Sequence, residues 1–266
     1  MLLIFSSCLI TGVYYIPLSD TTKDGILNEQ NSLIEGIVRR IDDQMSSNHL
    51  AFESAAMAIE IINSAEYVDA YQRFIVVHQR RITALQKLAP NFSDITIFSD
   101  NGDIITKDGV SNQANFKNEA WYLDAKKSDK EKITLIGPVY ENSSYNLYLI
   151  RPLYETVSGK FKGVLKAKTA LSFFTDIADS YKSFGASESY VLSDNFDILK
   201  HRDKSLVSKN LISIGGESFN SFKKEISNNK KGFVNLEFKG KNKIYVFCKS
   251  SQLPIIVIGS ILTVDI

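Results

Sequence analysis

The fold is decided by two copies of one pattern, Ser99-Asp100-Asn101-Gly102-Asp103-Ile104-Ile105 and Ser193-Asp194-Asn195-Phe196-Asp197-Ile198-Leu199, which start 94 residues apart. Each copy follows a run rich in β-branched and aromatic residues. In the first copy the Asn-Gly pair is typical of a tight turn between antiparallel strands. An internal repeat this long predicts two modules of one kind, because solenoid repeats are roughly 20 to 50 residues long.

The segments around the two copies alternate with a period of two, which predicts strands. In the first module they are residues 95–98, 103–106, 133–136, 145–153 and 161–169, followed by a helix over 170–183. The second module continues with a helix over 219–226 and strands over 233–238, 243–249 and 254–261. We therefore predict two modules, 90–183 and 184–262, each with a mainly antiparallel sheet of five or six strands.

A long helix precedes both modules. Residues 21–88 contain two glycines and no proline, and apolar residues recur at helical spacing from Ile26 through Leu33, Ile37, Ile41 and Met45 to Phe52 and beyond. A break is predicted at 63–66, with a second helix over 67–88, so that 20–89 form a stalk and a second helix. A helix this long either spans two modules or pairs with its own copy, and we predict a homodimer through the stripe of residues 26–45. The fold class is α+β.

The ends of the chain are apolar. Residues 2–18 carry no charge and reach the lower limit for crossing a bilayer, so residues 1–19 are predicted to be a partial transmembrane anchor. A buried helix or a signal peptide is the alternative, although the positive charge and cleavage site of a signal peptide are missing. Residues 253–264 have the length of a final strand, and 263–266 are interpreted as the start of a second membrane crossing or a cut end.

Composition narrows the function classes. The formal charge of +1 gives no field for nucleic-acid binding, and 44% hydrophobic residues are typical of a folded chain. Neither the cysteines nor the histidines have the spacing of metal ligands: Cys8, Cys248, His49, His78 and His201. Nucleophile-elbow, zincin, Walker and dinucleotide motifs are missing. We therefore predict no catalytic residue, no metal and no cofactor.

Several short motifs occur in an order that resembles double Cache (dCache) sensor domains: the Asp100-Asn101-Gly102 turn, the Trp121-Tyr122 pair, Gly-Pro-Val-Tyr at 137–140, Gly163-Val164 and the second-module stretch 193–203. The match covers residues 23–261. The resemblance implies two PAS-like modules on one helix, outside the bacterial cytoplasmic membrane and facing the periplasm or the extracellular side. It also implies signalling to a histidine kinase, chemoreceptor or diguanylate cyclase output, with the membrane-distal module, 90–183, binding the ligand.

The resemblance also implies a ligand site. In amino-acid-binding members an Arg two positions before the Trp and the Trp-Tyr pair hold the ligand carboxylate. An Asp three positions after the Trp, a Tyr of the Gly-Pro-x-Tyr stretch and a last-strand Asp hold its amine. Four positions match here, Trp121, Tyr122, Asp124 and Tyr140, whereas Glu119 replaces the Arg and Lys168 replaces the last-strand Asp.

Lys168 changes the expected ligand, because an ammonium donor cannot accept a hydrogen bond from an amine. A standard α-amino acid becomes a poor candidate, and a ligand offering Lys168 a carboxylate oxygen is preferred. Alternatively, Trp121 and Tyr122 are packed aromatic residues, and Lys168 pairs with Asp124 and fills the pocket. Tyr148 and Arg151 lie on opposite faces of one strand, so at most one of them points into the pocket. In the second module we expect no convergent polar set, with His201 packed in the core.

These observations predict an extracytoplasmic, membrane-anchored, dimeric sensor for a small polar, carboxylate-bearing molecule. Two rivals remain. An anchored hydrolase would need a nucleophile and base that the sequence does not offer. A structural module that senses a periplasmic protein would bind no small molecule, and a ligand screen by thermal shift separates it from the sensor.

Overall fold

The computed structural model describes residues 2–57, 90–155, 157–180, 186–238 and 240–262, together with isolated positions between 80 and 87. It contains two compact units. One comprises Met1–Asp42 and Thr175–Ile266, and the other comprises Asp43–Phe174. The division therefore falls within the first helix and after the sixth strand.

The first helix, α1, is continuous over Leu2–Met57, so the predicted stalk begins upstream of residue 20 without a cap there. The predicted break at 63–66 and most of the second helix lie outside the described residues. None of the helices in the described part of the chain is both long and apolar enough to span a membrane.

The apolar stripe of α1 is buried within the chain itself. Ile34, Ile41 and Met45 are almost inaccessible to solvent, and Glu35 on the same stretch pairs with Lys231 at 2.7 Å. This corrects our reason for expecting a dimer, because the stripe is already covered. A homodimer through the stalk stays a prediction, and it would have to use the exposed side of α1, around Arg39 and Arg40.

The unit Asp43–Phe174 contains a six-stranded antiparallel sheet in the order β3-β2-β1-β6-β5-β4. Its strands are β1 (Phe92–Ser99), β2 (Asp103–Thr106), β3 (Gly109–Asn112), β4 (Thr134–Glu141), β5 (Ser144–Tyr154) and β6 (Phe161–Ala170). Helix α2 (Ala120–Lys127) packs on one face of this sheet. The helix predicted over 170–183 is shorter than expected, with α3 (Leu171–Thr175) followed by a 3-10 turn over Asp176–Ser180.

The other unit contains a five-stranded antiparallel sheet in the order β8-β7-β11-β10-β9. Its strands are β7 (Ala186–Ser193), β8 (Ile198–His201), β9 (Lys231–Phe238), β10 (Lys241–Lys249) and β11 (Ile255–Leu262), and its helices are α4 (Leu211–Gly215) and α5 (Phe219–Asn228). The order repeats that of the first sheet without the edge strand β3. The predicted α+β fold with two antiparallel sheets is confirmed, and the final strand predicted within residues 253–264 is β11, Ile255–Leu262.

Candidate functional site

Helix α2 covers part of one face of the first sheet, beside the candidate site. Its residues Tyr122 and Ala125 are buried against Phe116, Ile150 and Val164. Because Val164 belongs to β6, α2 lies over the face of the sheet that carries every second residue of that strand. The same face continues beyond the helix as a polar surface.

A cavity of about 250 Å³ opens on this polar surface. It is lined by three residues of β1, two of β6, one of β5 and one of β4: Asp94, Thr96, Phe98, Lys166, Lys168, Tyr148 and Glu141. Register explains the convergence, since Thr96 pairs with Lys166 and Lys168 lies between Asp94 and Tyr148 on its neighbouring strands. By the alternation of β6, Val164, Lys166 and Lys168 share this face, while Leu165 and Ala167 are fully buried on the other.

Gly163 fixes the register of β6. Its φ of +151° is unfavourable for other residues, and a Cβ there would lie 2.2 Å from the carbonyl oxygen of Phe98. The close approach of β6 to the end of β1 therefore requires glycine at this position. Lys166 and Lys168 follow at fixed distances along the strand.

Lys168 is held by Glu141. The Lys168 Nζ lies 3.5 Å from the Glu141 Oε2, and the Tyr148 hydroxyl donates to the Glu141 Oε1. The Lys168 side chain is 23% exposed. Its partner is thus Glu141 and not Asp124, which corrects the partner in the pocket-filling alternative.

Lys166 lies among aromatic rings. Its Nζ is 4.4 Å from the centroid of the Trp121 ring, 4.5 Å from that of Tyr148 and 6.0 Å from that of Phe98. Burial lowers the pKa of this ammonium, against the opposing charges of Glu141, Glu119 and Asp94. Cation–π contacts of this kind stabilise an ammonium by about 0.5–2 kcal/mol.

The remaining predicted site residues lie around the cavity or away from it. Trp121 does not line the cavity itself but contacts Lys166, which does. Tyr122 is 1% exposed, in the core, where its hydroxyl donates to the Asp100 Oδ1 over 3.2 Å, and burial together with that carboxylate raises its pKa. Glu119 and Asp124 are exposed at the start and on the outer side of α2.

Arg151 and Tyr140 lie on the side of the sheet away from the cavity. Arg151 is 5% exposed and donates to the carbonyl oxygen of Glu53 in α1, so of the two β5 residues Tyr148 is the one on the cavity face. Tyr140 pairs with Tyr145 across the β4–β5 hairpin, with ring centroids 4.9 Å apart, and is 54% exposed.

A register shift explains the position of Tyr140. The pairing of β4 with β5 is irregular between Ile136 and Val139, and the irregularity exchanges the two faces of the strand beyond it. Glu141, the next residue, consequently reaches the cavity. Sequence alternation alone could not locate this shift.

Five cavity residues were not predicted as site residues: Asp94, Thr96, Phe98, Glu141 and Lys166. The sequence could have indicated three of them. Asp94, Thr96 and Phe98 are every second residue of β1 and so share one face, and two of them are polar although β1 lies in the middle of a sheet. Lys166 lies two residues before Lys168 on the same strand face, so alternation indicates it once Lys168 is assigned to the site. No sequence pattern indicates Glu141, because the face on which it lies depends on the register shift between Ile136 and Val139.

A second polar cluster lies in the other unit, where we expected none. The Glu188 Oε2 accepts hydrogen bonds from the Tyr190 hydroxyl at 2.8 Å and from the Lys243 Nζ at 2.7 Å. Burial and the charge of Glu188 raise the pKa of the Tyr245 hydroxyl nearby. His201 stacks on Tyr190 with ring centroids 4.3 Å apart. This cluster sits at the edge of an aromatic core. Glu188 is paired within it, whereas the buried His201 Nε2 and Tyr245 hydroxyl have no hydrogen-bond partner among the described residues.

Metal binding has no obvious location in these two sheets. Across the described ranges, no three or more side chains of His, Cys, Asp or Glu come together as a ligand set. The groups gathered in the first cavity are instead cations, carboxylates and aromatic rings.

The comparisons with known proteins agree with this architecture. The dCache_1 family model, described as a Cache domain, matches residues 18–266. The sensory domain of the Campylobacter jejuni chemoreceptor Tlp3 (CcmL) has a TM-score of 0.70 and 14% sequence identity, covering 94% of this chain and 98% of that chain. No curated protein sequence gives a significant match.

Two Pseudomonas domains are also similar in fold. The ligand-binding domain of the Pseudomonas aeruginosa PAO1 amino acid chemoreceptor PctB, in complex with L-Arg, has a TM-score of 0.62 and 18% identity, covering 91% of this chain and 97% of that one. The domain of the Pseudomonas fluorescens chemoreceptor CtaA, in complex with L-serine, has a TM-score of 0.61 and 18% identity over 90% and 98% of the two chains. With the family model matching nearly the whole sequence and two PAS-like sheets present, the chain belongs to the double Cache family of sensor domains.

Proposed function

We propose that this protein is the extracytoplasmic ligand-sensing domain of a bacterial transmembrane receptor, and that it binds a small polar, carboxylate-bearing molecule in the unit Asp43–Phe174. The observation that carries the proposal is the cavity on the first sheet, with Lys166 and Lys168 side by side on β6. Two ammonium groups beside a concave, aromatic-edged surface are suited to a carboxylate. The domain binds its ligand and does not transform it.

The volume and charge of the cavity limit the ligand. About 250 Å³ is room for a small metabolite, below the usual range for drug-sized molecules. The resemblance to amino-acid-binding members implies that Lys168 replaces an amine acceptor, which favours an oxygen from the ligand at this point. The chemoreceptor domains in complex with L-Arg and with L-serine nevertheless make amino acids a necessary part of any ligand screen.

Contacts between α1 and the second sheet support a role for this helix in passing the ligand signal along the chain. The carboxylate of Asp42 on α1 accepts hydrogen bonds from the turn between β10 and β11: from the Ser250 hydroxyl, the Ser251 hydroxyl at 2.5 Å and the Ser251 amide at 3.0 Å. Burial by itself raises the pKa of Asp42, but these hydrogen bonds outweigh it and lower the pKa. A ligand changes the position of α1 only to the extent that it binds one arrangement of the helix better than the other.

The receptor class is left open among histidine kinase, chemoreceptor and diguanylate cyclase. We propose that residues 1–19 contribute to a membrane anchor and that two copies associate through the exposed side of α1. The membrane would then raise the effective concentration of the two stalks.

A thermal-shift screen followed by calorimetric titration tests the ligand proposal. Small carboxylates, amino acids, amines and neutral amides form the panel, because they separate the charges that the cavity could recognise. A saturating carboxylate should raise the melting temperature in proportion to the logarithm of its concentration over Kd. If no carboxylate binds while a periplasmic protein does, the domain is the interaction module considered as its rival.

A further inference from the structure

One histidine of the second sheet is buried with half of its hydrogen-bonding capacity unused. His201, at the end of β8, is 6% exposed, and its ring stacks on that of Tyr190. The Asp203 amide donates a hydrogen bond to its Nδ1 over 3.0 Å, so the neutral ring carries its proton on Nε2. Among the described residues, the buried Nε2 has no hydrogen-bond partner. The neutral ring is therefore satisfied on one side only.

A second proton on this ring has no well-placed acceptor within the described ranges. It would sit on Nδ1, where the Asp203 amide already directs its own N–H at the ring. The Asp203 carbonyl oxygen lies further from Nδ1, at 3.4 Å. An imidazolium in this position would bury a charge with one N–H unpaired and the other facing a donor, and both features cost free energy.

The surrounding charges do not offset that cost. The charged and titratable groups gathered around His201 come from two strands and its own turn: Glu188 and Tyr190 on β7, Lys243 and Tyr245 on β10, and Asp203. Glu188 attracts an imidazolium, but its charge is offset by Lys243, whose Nζ lies 2.7 Å from the Glu188 Oε2. Asp203 is exposed, so water and salt screen its charge. The neutral ring is the form that fits this packed site.

The strand that carries His201 lies at the edge of the second sheet. In the described sheet β8 is hydrogen-bonded to β7 on one side only, with His201 opposite Tyr190. The preceding residue, Lys200, points to the other face, where its Nζ contacts the Asp176 Oδ1 at 2.5 Å and the Asp179 Oδ2 at 3.0 Å. Both aspartates belong to the 3-10 turn that follows α3 and thus connects β6 to the second sheet. A displacement of β8 therefore acts on the connection between the two modules.

We propose that His201 is a proton-operated latch: in acidic surroundings its ring takes up a proton, leaves Tyr190, and releases β8 together with the Lys200 contacts. An exposed imidazole changes its charge between about pH 8 and pH 5, so the released ring binds the proton that the packed ring does not accommodate. Because the released state binds more protons, each pH unit below the titration of the exposed ring raises its population by up to about tenfold. Proton concentration becomes a second input to the proposed sensor, whatever ligand the first cavity binds.

Hydrogen exchange of the whole chain near pH 7.5 and near pH 5.5 tests the latch. After correction for the intrinsic effect of pH on exchange, the amides of residues 198–201 should lose protection by about tenfold or more at the lower pH. Residues 175–180 should lose protection with them, because Lys200 joins the two segments. Strand β10, in the interior of the sheet, should not change and serves as the internal reference.

Two variants of His201 and one matched control assign the response. His201→Gln keeps an oxygen that can accept from the Asp203 amide but does not titrate, and His201→Phe keeps an aromatic ring against Tyr190. Each loses a different native contact, so the two variants check each other, and in both the exchange of β8 should be independent of pH. His49→Gln is the control, because His49 lies on α1 in the other unit, and it should respond to pH as the unmodified chain does.

Glu188→Gln separates the histidine from its neighbouring carboxylate. Burial by itself raises the pKa of Glu188, but the hydrogen bonds from Lys243 and Tyr190 outweigh it and lower the pKa. Glu188 therefore stays charged over the pH range of the test, and its variant should keep the response.

The latch is overturned if β8 in the unmodified chain is equally protected at both pH values. It is also overturned if the pH response survives in both His201 variants, or if it disappears in Glu188→Gln, since another group would then carry it. Loss of protection at 198–201 without any at 175–180 would refute the release of the Lys200 contacts. None of these results bears on carboxylate binding in the first cavity, which the ligand screen decides separately.

Discussion

The two sheets share their strand order but use the corresponding face for different purposes. In the second sheet, α5 fills the space over the face with aromatic rings: Phe219 and Phe222 contact Tyr245 with ring centroids 5.5 and 5.7 Å apart. In the first sheet, α2 covers part of the face and leaves Lys166 and Lys168 bordering a cavity. One topology can therefore support either a packed core or a ligand cavity, and the side chains on alternate positions decide which.

The largest expected effect concerns the packed face. Phe222 is fully buried among the rings of the second sheet, so Phe222→Ala should lower the free energy of unfolding by about 3–5 kcal/mol. Urea denaturation measures it, with Phe233→Ala as the control because Phe233 is 45% exposed. Equal losses in the two variants would contradict the view that this face is the core of the second unit.

The next effect concerns the strand that carries both lysines. Gly163→Ala combines an unfavourable φ with a Cβ placed against the carbonyl oxygen of Phe98, and we expect a loss of about 2–4 kcal/mol. Gly109→Ala is the matched control, because its φ of +150° is within 1° of that of Gly163 while nothing lies within 4 Å of the added Cβ. A loss no larger at Gly163 than at Gly109 would mean that the close approach does not fix the register of β6.

A smaller effect on stability is expected from the charge pairs, and it differs between the two sheets. Glu188 is 35% exposed, and its partner Lys243 is 8% exposed. Burial by itself raises the pKa of Glu188, but the hydrogen bonds from Lys243 and Tyr190 outweigh it and lower the pKa below 4.5. A carboxyl with a depressed pKa stabilises the fold above its unfolded pKa, and this contribution is lost as the pH falls through the folded pKa.

Glu188→Gln should therefore cost about 1–2 kcal/mol near neutral pH. The cost should be smaller at acidic pH, once the pH has fallen through the folded pKa of Glu188 and the unmodified chain has lost the same contribution. Denaturation curves at the two pH values provide the measurement. Glu141→Gln serves as the comparison, with an expected cost of about 0–1 kcal/mol, because its pair with Lys168 is open to the solvent of the cavity. A cost for Glu188→Gln that grows on acidification would contradict the sign of this argument.

Local pattern predicted most of the fold. The SDN repeat, the period-two segments and the long helix each report on short-range geometry. The strands whose bounds were predicted lie within three residues of those bounds, except that β4 extends five residues further, and β3 was not predicted. The stripe of α1 was recognised, but its partner was not: periodicity states that a face is buried and says nothing about what buries it. For that reason the choice between the chain's own core and a second copy required coordinates.

The site was less predictable than the fold. Lys168 was assigned to the cavity, and alternation along β5 allowed only one of Tyr148 and Arg151 there without deciding which. Tyr140 was assigned to the pocket by resemblance, and the irregular pairing before it turns it away. The polar cluster around Glu188 was missed because its members come from three separate strands, which no short-range pattern connects.

The smallest expected effect uses two tyrosines on opposite faces of one hairpin. The Tyr148 hydroxyl donates to Glu141 on the cavity face, whereas Tyr140 packs on Tyr145 away from it. Tyr148→Phe should loosen the pair between Glu141 and Lys168 and weaken a bound carboxylate about threefold to tenfold, as expected for the loss of one hydrogen bond. Tyr140→Phe removes the same atom and should change the affinity less than twofold. Calorimetric titration of both variants with L-lactate and L-alanine makes the comparison. A larger loss for Tyr140→Phe would show that the ligand reaches the outer face of the hairpin, and the cavity on β6 would then not be the binding site.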